Sequence, residues 1–193
     1  MNNPKVKIKN IKNLSNDWYI LDKVNFDYQL KNKEWQNQNR ECYNRGNGAA
    51  ILLYNPTKRT VILTKQFRMP SYLNGNDDGM MIEVCAGLLD EDDPVTCIIK
   101  EAEEETGYRI TNPKKILELY SSPGAVTEII HYFIAEYTDA MKVNDGGGLT
   151  TETEEIEVLE IDFNEALTMI AKGAIKDAKT IILLQHLLLN KLL

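Results

Sequence analysis

The chain has 193 residues, of which 43% are hydrophobic and 26% charged, a composition typical of one soluble globular domain with at most a small appended element. Its net charge of −7 argues against DNA or RNA binding, which needs a basic face, and the absence of an apolar run of about 18 residues argues against a membrane span. The three cysteines, Cys42, Cys85 and Cys97, predict no disulfide framework, and together with the lack of a secretory signal they indicate a reducing, cytoplasmic location.

The first third of the sequence predicts β-strands. Aromatic and β-branched residues are frequent in residues 18–30 and partly alternate with polar ones, as in a half-buried strand. Three further segments have strand character: residues 39–46, 49–55 and 60–67. Because a turn that contains Pro56 separates the last two, we expect them to form a hairpin. After a loop at residues 74–79, the short apolar run 80–87 predicts one buried strand.

A helix is predicted over residues 94–106. Asp92 or Asp93 can cap it, Pro94 suits its first position, and Gly107 is a natural stop. The remaining segments predict two strands, an acidic loop, a strand and two helices: residues 114–122, 127–137, 143–155, 156–162, 164–173 and 177–193. This order of elements indicates an α+β domain with a layered α/β/α arrangement rather than a regular βαβ repeat.

The predicted helix carries four glutamates near its C-terminal end. Glu101 and Glu105 are four residues apart, so they are neighbours on one face. Glu104 joins that face and can pair with Lys100, whereas Glu103 points elsewhere. The stripe expected to face the core consists of Val95, Ile98, Ile99 and Ala102.

Carboxylates in this arrangement are electrostatically unfavourable. They repel one another and oppose the negative end of the helix macrodipole, at about 0.3–1 kcal/mol for each effect when exposed. One interpretation is a solvated acidic surface. The other is a site for a hard divalent cation, because such ions prefer carboxylate oxygens. Helical spacing alone leaves both interpretations open.

The residues around the glutamates resemble the Nudix box, G-x5-E-x7-R-E-U-x-E-E-x-G-U, in which U is a bulky aliphatic residue. Gly87 matches the opening glycine, and residues 100–108 match the closing segment in register. The chain departs from the pattern in four respects: Asp93 replaces the first glutamate, Lys100 replaces the arginine, Ala102 and Tyr108 are imperfect matches to U, and the stretch from Asp93 to Lys100 is one residue short. Segments along nearly the whole chain from about residue 7 are similar to the GDP-mannose pyrophosphatase branch of the Nudix hydrolases, which lies close to the ADP-ribose pyrophosphatases.

The resemblance implies a Nudix α/β/α sandwich with an N-terminal antiparallel strand arm. Residues 1–45 would form the arm, which dimerises, and residues 46–193 the hydrolase domain. It also implies a homodimer that cleaves GDP-mannose to GMP and mannose 1-phosphate, with Mg²⁺ or alternatively Mn²⁺ as cofactor. No nucleic-acid or membrane partner is expected.

The resemblance also implies a set of metal ligands and catalytic residues. By position in the box, Glu101, Glu105 and the backbone carbonyl of Ala86 would bind the metal. Glu154, in the acidic loop, would bind metal or position the attacking water, and Glu152 and Glu155 are its rivals. Without the resemblance this loop would be interpreted as a solvated segment.

The substrate-binding residues implied by the resemblance are Trp18, Arg40, Glu41, Arg68, Gly87, Leu88, Glu128 and Lys179. Trp18 would stack on the base, although an indole can also simply pack in a core. Arg68 would meet the diphosphate, and its alternative is a surface charge. Lys179 lies at a predicted helix N-terminus, where the macrodipole disfavours a cation, which supports a role in binding an anion. The glycine-rich segments 45–48 and 145–149 lack a phosphate-cradling motif and predict turns.

Two alternative functions remain at this point. The first keeps the chemistry and changes the substrate to ADP-ribose or another nucleoside diphosphate sugar. The second is a catalytically inactive Nudix domain that senses a nucleotide sugar, for which the altered Asp93 and Lys100 are the best support. Because Glu101, Glu104 and Glu105 are all present, an active enzyme is favoured.

Overall fold

The computed structural model describes residues 3–149, 151 and 153–193. The strands of this part of the chain are β1 (Val6–Asn16), β2 (Ile20–Gln29), β3 (Trp35–Asn44), β4 (Gly48–Asn55), β5 (Thr60–Phe67), β6 (Met80–Glu83), β7 (Cys85–Leu88), β8 (Lys114–Tyr120), β9 (Ile129–Glu136) and β10 (Glu157–Asp162). Its α-helices are α1 (Met69–Leu73), α2 (Pro94–Thr106), α3 (Phe163–Ala171) and α4 (Ala178–Leu189). Within the described residues, every helix is too short or too polar to cross a bilayer.

The chain divides into two compact units. The first contains the described residues up to Asn47 together with Tyr120–Ile129. It holds an antiparallel sheet in the order β1-β2-β3, with β1 as a long edge strand whose residues after Val6 are all exposed. The strand predicted over residues 18–30 is therefore confirmed as β2, while β1 was not predicted.

The second unit contains Gly48–Leu119 and Ile130–Leu193. Its seven-stranded sheet follows the order β10-β5-β4-β9-β8, and β6 pairs with β5 while β7 pairs with β4. Strands β4 and β5 are antiparallel, which confirms the predicted hairpin, and β4 runs parallel to β9.

Strand β4 separates the two hydrophobic cores of the second unit. All eight of its residues are buried, and successive side chains point to opposite faces of the sheet. One face joins α3 and α4 through a cluster that includes Ala50, Leu52, Tyr54, Phe163, Ala166, Leu183, Leu184 and Leu187. The other joins α2 through a cluster that includes Ala49, Ile51, Leu53, Cys97, Ile98 and Ala102. Helices on both faces of a mixed sheet form an α/β/α sandwich, so the predicted fold class is confirmed.

Two local predictions were wrong. The single strand predicted over residues 80–87 is broken at Val84, because its two halves pair with different partners, β6 with β5 and β7 with β4. In α2, Val95 is 43% exposed rather than in the core, since Cys97 takes the buried side of the first turn. Ile99 is only half-buried, and the buried face runs through Ile98, Ala102 and Glu105.

Candidate active site

Local signals define both ends of α2. The Asp93 side chain accepts hydrogen bonds from the amides of Val95 and Thr96, at 2.9 and 3.2 Å. Asp93 rather than Asp92 is therefore the N-cap. Gly107 ends the helix with a φ of 79°, in the left-handed region that glycine adopts at least cost. The caps confirm the predicted range and fix the register of the glutamates in the last turns.

Glu101 packs directly against the backbone of β7. A Cβ atom on Gly87 would lie 2.0 Å from Oε1 of Glu101, so only glycine leaves room for this carboxylate. Gly87 follows Ala86 in the strand, and the next residue, Leu88, accepts a hydrogen bond from the Cys97 thiol at 3.3 Å through its carbonyl. The structure thus brings Glu101 to the segment that holds three of the predicted backbone contacts.

Glu105 is a buried carboxylate in the last turn of α2. It is 2% exposed, and among the described residues its Oε2 atom has no hydrogen-bond partner. The pKa of Glu105 is raised to about 8, first of all by burial; the Glu101 and Glu154 charges contribute to the rise, whereas the Cys85 thiol and Arg68 oppose it. Burial and the nearby Glu105 and Glu101 charges also raise the pKa of the Cys85 thiol. Glu105 therefore lies in the electrostatic field of two other predicted ligands.

A run of three glycines covers the C-terminal end of α2. The amide of Gly147 donates to the Glu105 carbonyl at 2.9 Å. The amide of Gly148 donates to the Glu104 carbonyl at 3.1 Å. Two carbonyls that the helix leaves without intrahelical partners are thereby satisfied. A Cβ on Gly146 would clash with the Glu105 carbonyl, so this segment is a helix-docking loop where the sequence predicted only a turn.

The same loop holds Glu154. Its Oε2 accepts a hydrogen bond from the Leu149 amide at 3.1 Å, and a Cβ on Gly148 would lie 2.5 Å from that oxygen. Glu154 is half-buried, whereas its rival Glu155 is exposed. The other rival, Glu152, lies outside the described residues. The glycine loop thus links Glu154 to the helix that carries Glu101 and Glu105.

Two cations lie around one buried carboxylate that sequence reasoning missed. Arg68 donates to both oxygens of Glu83, from Nε at 2.9 Å and from Nη2 at 3.1 Å. Burial works against the Arg68 charge, but Glu83 outweighs it and holds the pKa of the guanidinium above its ordinary value. Lys179 lies 2.7 Å from Asp177 and 3.6 Å from Glu83. The only signal for Glu83 was an acidic residue inside an apolar run.

The remaining acidic residues of α2 have other surroundings. Glu103 forms a two-fold ion pair with Arg109, with both distances 2.8 Å. In the described part of the chain Lys100 and Glu104 form no ion pair, so that expectation was wrong. Both instead line an open cavity of about 750 Å³ on the outward side of the helix.

The other predicted substrate contacts belong to the first unit. Trp18 is 81% exposed, and Arg40 and Glu41 are exposed residues of β3. Glu128 is 7% exposed and lies 3.5 Å from Arg45. The Trp18 ring meets the neighbouring Tyr19 ring edge-on, with the ring centroids 6.2 Å apart, and most of the indole remains exposed to solvent.

Comparisons with known proteins cover both units. Residues 5–43 match the GDP-mannose pyrophosphatase NudK N-terminal domain, and residues 44–184 match the NUDIX domain. The chain belongs to the Nudix family. The GDP-mannose pyrophosphatase of Cronobacter sakazakii is 56% identical to it over 92% of each chain. Those of Salmonella typhimurium and Escherichia coli O1:K1 are 55% and 52% identical, over 90% and 93% of each chain.

Nudix hydrolases use divalent metals, and the residues of this Nudix site suit one. Among the described residues, no three His, Cys, Asp or Glu side chains are grouped closely enough to hold an ion by themselves. Mg²⁺, however, is usually bound by one or two carboxylates plus substrate phosphates and water. Glu105, whose buried Oε2 lacks a hydrogen-bond partner among the described residues, and Glu101, which packs against Gly87 of β7, provide such a partial set. The unsatisfied Oε2 atom is the observation that fits a cation best.

The raised pKa of Glu105 predicts how stability depends on pH without metal. In the folded protein the Glu105 carboxyl group stays protonated up to about pH 8, whereas in the unfolded chain it loses its proton near pH 4.5. Between these values the folded state binds more protons, so the free energy of unfolding falls as the pH rises. Glu105→Gln removes this proton. In EDTA near pH 9 we expect the variant to be more stable than the wild type, by an amount on the order of a few kcal/mol.

Urea unfolding in EDTA at several pH values between about 5 and 9 measures this difference. Glu155→Gln, a change at an exposed carboxylate in the neighbouring loop, is the control and should follow the wild type. Parallel pH profiles for the wild type and Glu105→Gln would show that Glu105 ionises without cost in the folded protein.

Proposed function

We propose that this Nudix hydrolase is a Mg²⁺-dependent pyrophosphohydrolase that cleaves GDP-mannose to GMP and mannose 1-phosphate. The observation that carries the substrate assignment is the similarity of about nine-tenths of the chain to GDP-mannose pyrophosphatases. Residues 5–43 also match the N-terminal domain of a GDP-mannose pyrophosphatase. The reaction adds water across one phosphoanhydride bond, so that one new P–O bond forms, the bridging P–O bond breaks, and the two protons of water are shared between the products and solvent.

The acidic side of the site supports this chemistry. Glu101, Glu105, Glu154 and the Ala86 carbonyl would hold Mg²⁺, with Mn²⁺ as an alternative. The bound ion would supply charge neutralisation at the phosphoryl oxygens and lower the pKa of a bound water. Glu154 is half-buried, and its carboxylate accepts a hydrogen bond from the Leu149 amide. We infer that it would bind the metal or position the attacking water and accept its proton.

The basic side of the site binds the diphosphate. Arg68 is fixed on one edge by Glu83, and a guanidinium presents its remaining N–H groups to phosphate oxygens in a planar fork. Lys179 adds a compact charge near the N-terminus of α4, where the positive end of the helix macrodipole also favours an anion. Gly87 and Leu88 would border the substrate through their backbone.

The first unit would supply the nucleotide contacts. Trp18 is suited to stack on guanine, with Arg40, Glu41 and Glu128 as polar contacts. We propose a cytoplasmic homodimer in which the arm, residues 1–45, serves the site of the partner's domain, residues 46–193. The exposed edge strand β1 supports an association of this kind, because long unpaired edges with apolar side chains invite pairing.

The alternative functions are an ADP-ribose or other nucleotide-sugar pyrophosphatase and an inactive nucleotide-sugar sensor. The sensor was supported by Asp93 and Lys100. Asp93 caps α2 through its own carboxylate, so aspartate at this position has a structural purpose that does not require loss of activity. No observation in the described residues favours the sensor over the enzyme.

Incubation with Mg²⁺ and a panel of nucleoside diphosphate sugars tests the proposed activity. We expect GMP and mannose 1-phosphate from GDP-mannose, detected by ion-exchange chromatography. Glu154→Gln should lower kcat roughly 10²-fold because a positioned proton acceptor is lost, and Glu155→Gln should leave kcat within about twofold because that side chain is exposed. Cleavage of ADP-ribose alone would refute the substrate, and equal effects of the two variants would refute the role of Glu154.

Sedimentation velocity tests the proposed dimer. We expect a particle of twice 22.0 kDa, and we expect Ile11→Asp to weaken the dimer, because Ile11 is an apolar side chain 54% exposed on β1. Lys12→Asp, which changes the neighbouring residue on the opposite face of the strand, is the matched control. A wild-type monomer at micromolar concentration would contradict the proposed assembly.

A further inference from the structure

Glu83 is the most deeply buried carboxylate of the site apart from Glu105. It ends β6, and only 4% of the residue is exposed. The backbone around Glu83 is held by two hydrogen bonds. In the first, the Thr64 hydroxyl donates to the Glu83 carbonyl at 3.2 Å. The next amide, of Val84, donates to the hydroxyl of Thr180 in α4 at 2.8 Å. The Glu83 side chain therefore extends from a backbone segment that is hydrogen-bonded to both β5 and α4.

Arg68 uses one edge of its guanidinium for Glu83. The two hydrogen bonds run from Nε and Nη2, which leaves both N–H groups of Nη1 and one of Nη2. Within the described residues, no hydrogen bond engages Nη1. The Arg68 side chain is 42% exposed, whereas that of Glu83 is 5% exposed. Pairing along one edge thus fixes the plane of the guanidinium and leaves its other edge accessible.

Lys179 is held by the same carboxylate. Its ammonium lies 3.6 Å from Glu83 and 2.7 Å from Asp177, and Asp177 in turn accepts hydrogen bonds from the amide and hydroxyl of Thr180. Two acids and two bases give this cluster a formal charge of zero. The cluster therefore offers an incoming diphosphate oriented donors rather than an excess of positive charge.

A purely structural purpose explains this arrangement poorly. Burying a charged pair costs desolvation that the attraction often fails to repay, and apolar side chains of similar volume are commonly as stable or more so. Glu83 is in a sheet with apolar neighbours on both sides in sequence, Ile82 and Val84. A carboxylate in this place is better explained by what it does to the two cations.

We propose that Glu83 is a positioning residue for the hydrolysis, which holds Arg68 and Lys179 in the orientation that binds the diphosphate as it is cleaved. The inference rests on the proposed function, since it takes the two cations as diphosphate ligands. Glu83 acts through them and does not touch the substrate itself.

Glu83→Gln tests this role, because it keeps the shape of the side chain and removes the charge that aligns the cations. We expect kcat to fall by about tenfold or more, since a small misplacement of a binding group is costly in the transition state. KM should change by less than about threefold, because the lost negative charge partly compensates the lost orientation. Glu103→Gln is the matched control, since it breaks an equally well-formed pair with Arg109 outside this cluster, and its kcat should equal that of the wild type.

A double-mutant cycle separates positioning from a general structural effect. If Glu83 acts mainly through Arg68, then Glu83→Gln should cost at most about twofold in kcat once Arg68→Met is present. Multiplicative effects, or wild-type kcat for Glu83→Gln, would overturn the proposal. If Glu83→Gln does not fold, as judged by circular dichroism, the cycle is run with Glu83→Asp, which keeps the charge but retracts it, and the same loss is expected.

The substrate assignment can fail separately. If the wild type cleaves another nucleoside diphosphate sugar but not GDP-mannose, the proposed substrate is wrong and the cycle is run on the sugar that is cleaved. If the wild type cleaves none, calorimetric binding of GDP with Mg²⁺ replaces kcat. In that case Arg68→Met should weaken binding several-fold, Glu83→Gln should reproduce part of that loss, and wild-type binding by Glu83→Gln would overturn the role of Glu83.

Discussion

The burial of the Glu105 carboxylate beside Glu101 is the constraint on which the site depends. Glu105 is 2% exposed, and its Oε2 lacks a hydrogen-bond partner among the described residues, so ionising it costs free energy in the folded protein. Burial is the largest contribution to this cost, and the Glu101 and Glu154 charges add to it. A divalent cation bound there, as proposed, would reverse the sign of these interactions, because the same three carboxylates would then attract the ion. The metal-free helix is therefore electrostatically strained in the way that a cation site requires.

The surrounding backbone keeps this pair of carboxylates in place. Gly87 lets Glu101 approach β7 more closely than any other residue would allow. The amides of Gly147 and Gly148 bond to the last carbonyls of α2, which stabilises the helix end where negative charge is least favourable. Glu154 accepts a hydrogen bond from Leu149, the residue after Gly148. The glycine segment that caps the helix therefore also fixes the position of the third carboxylate. Backbone contacts thus stabilise a cluster of carboxylates at the C-terminal end of α2 that the repulsion between their charges would oppose.

The sequence predicted those features that depend on local signals. Helix α2 was predicted with the bounds that are observed, since Asp93, Pro94 and Gly107 are local start and stop signals, and four-residue spacing placed Glu101 beside Glu105. Features that depend on distant pairing could not be predicted in this way. The break at Val84 follows from pairing with two different strands. The role proposed for Glu83 rests on its contacts with Arg68 and Lys179, which lie far from it in sequence. The exposure of Val95 and the docking of the glycine loop likewise depend on tertiary contacts.

Proton release on cation binding tests the central claim most directly. Calorimetric titration of the substrate-free protein with Mg²⁺, in buffers of different ionisation enthalpy, counts the protons released for each ion bound. Because the pKa of Glu105 is raised to about 8, the wild type should release about one proton per ion near pH 7 and much less near pH 9. Glu105→Gln should release almost none. Binding of Mg²⁺ near pH 7 without proton release would show that Glu105 is already ionised, and that the cation does not compensate a buried carboxylate.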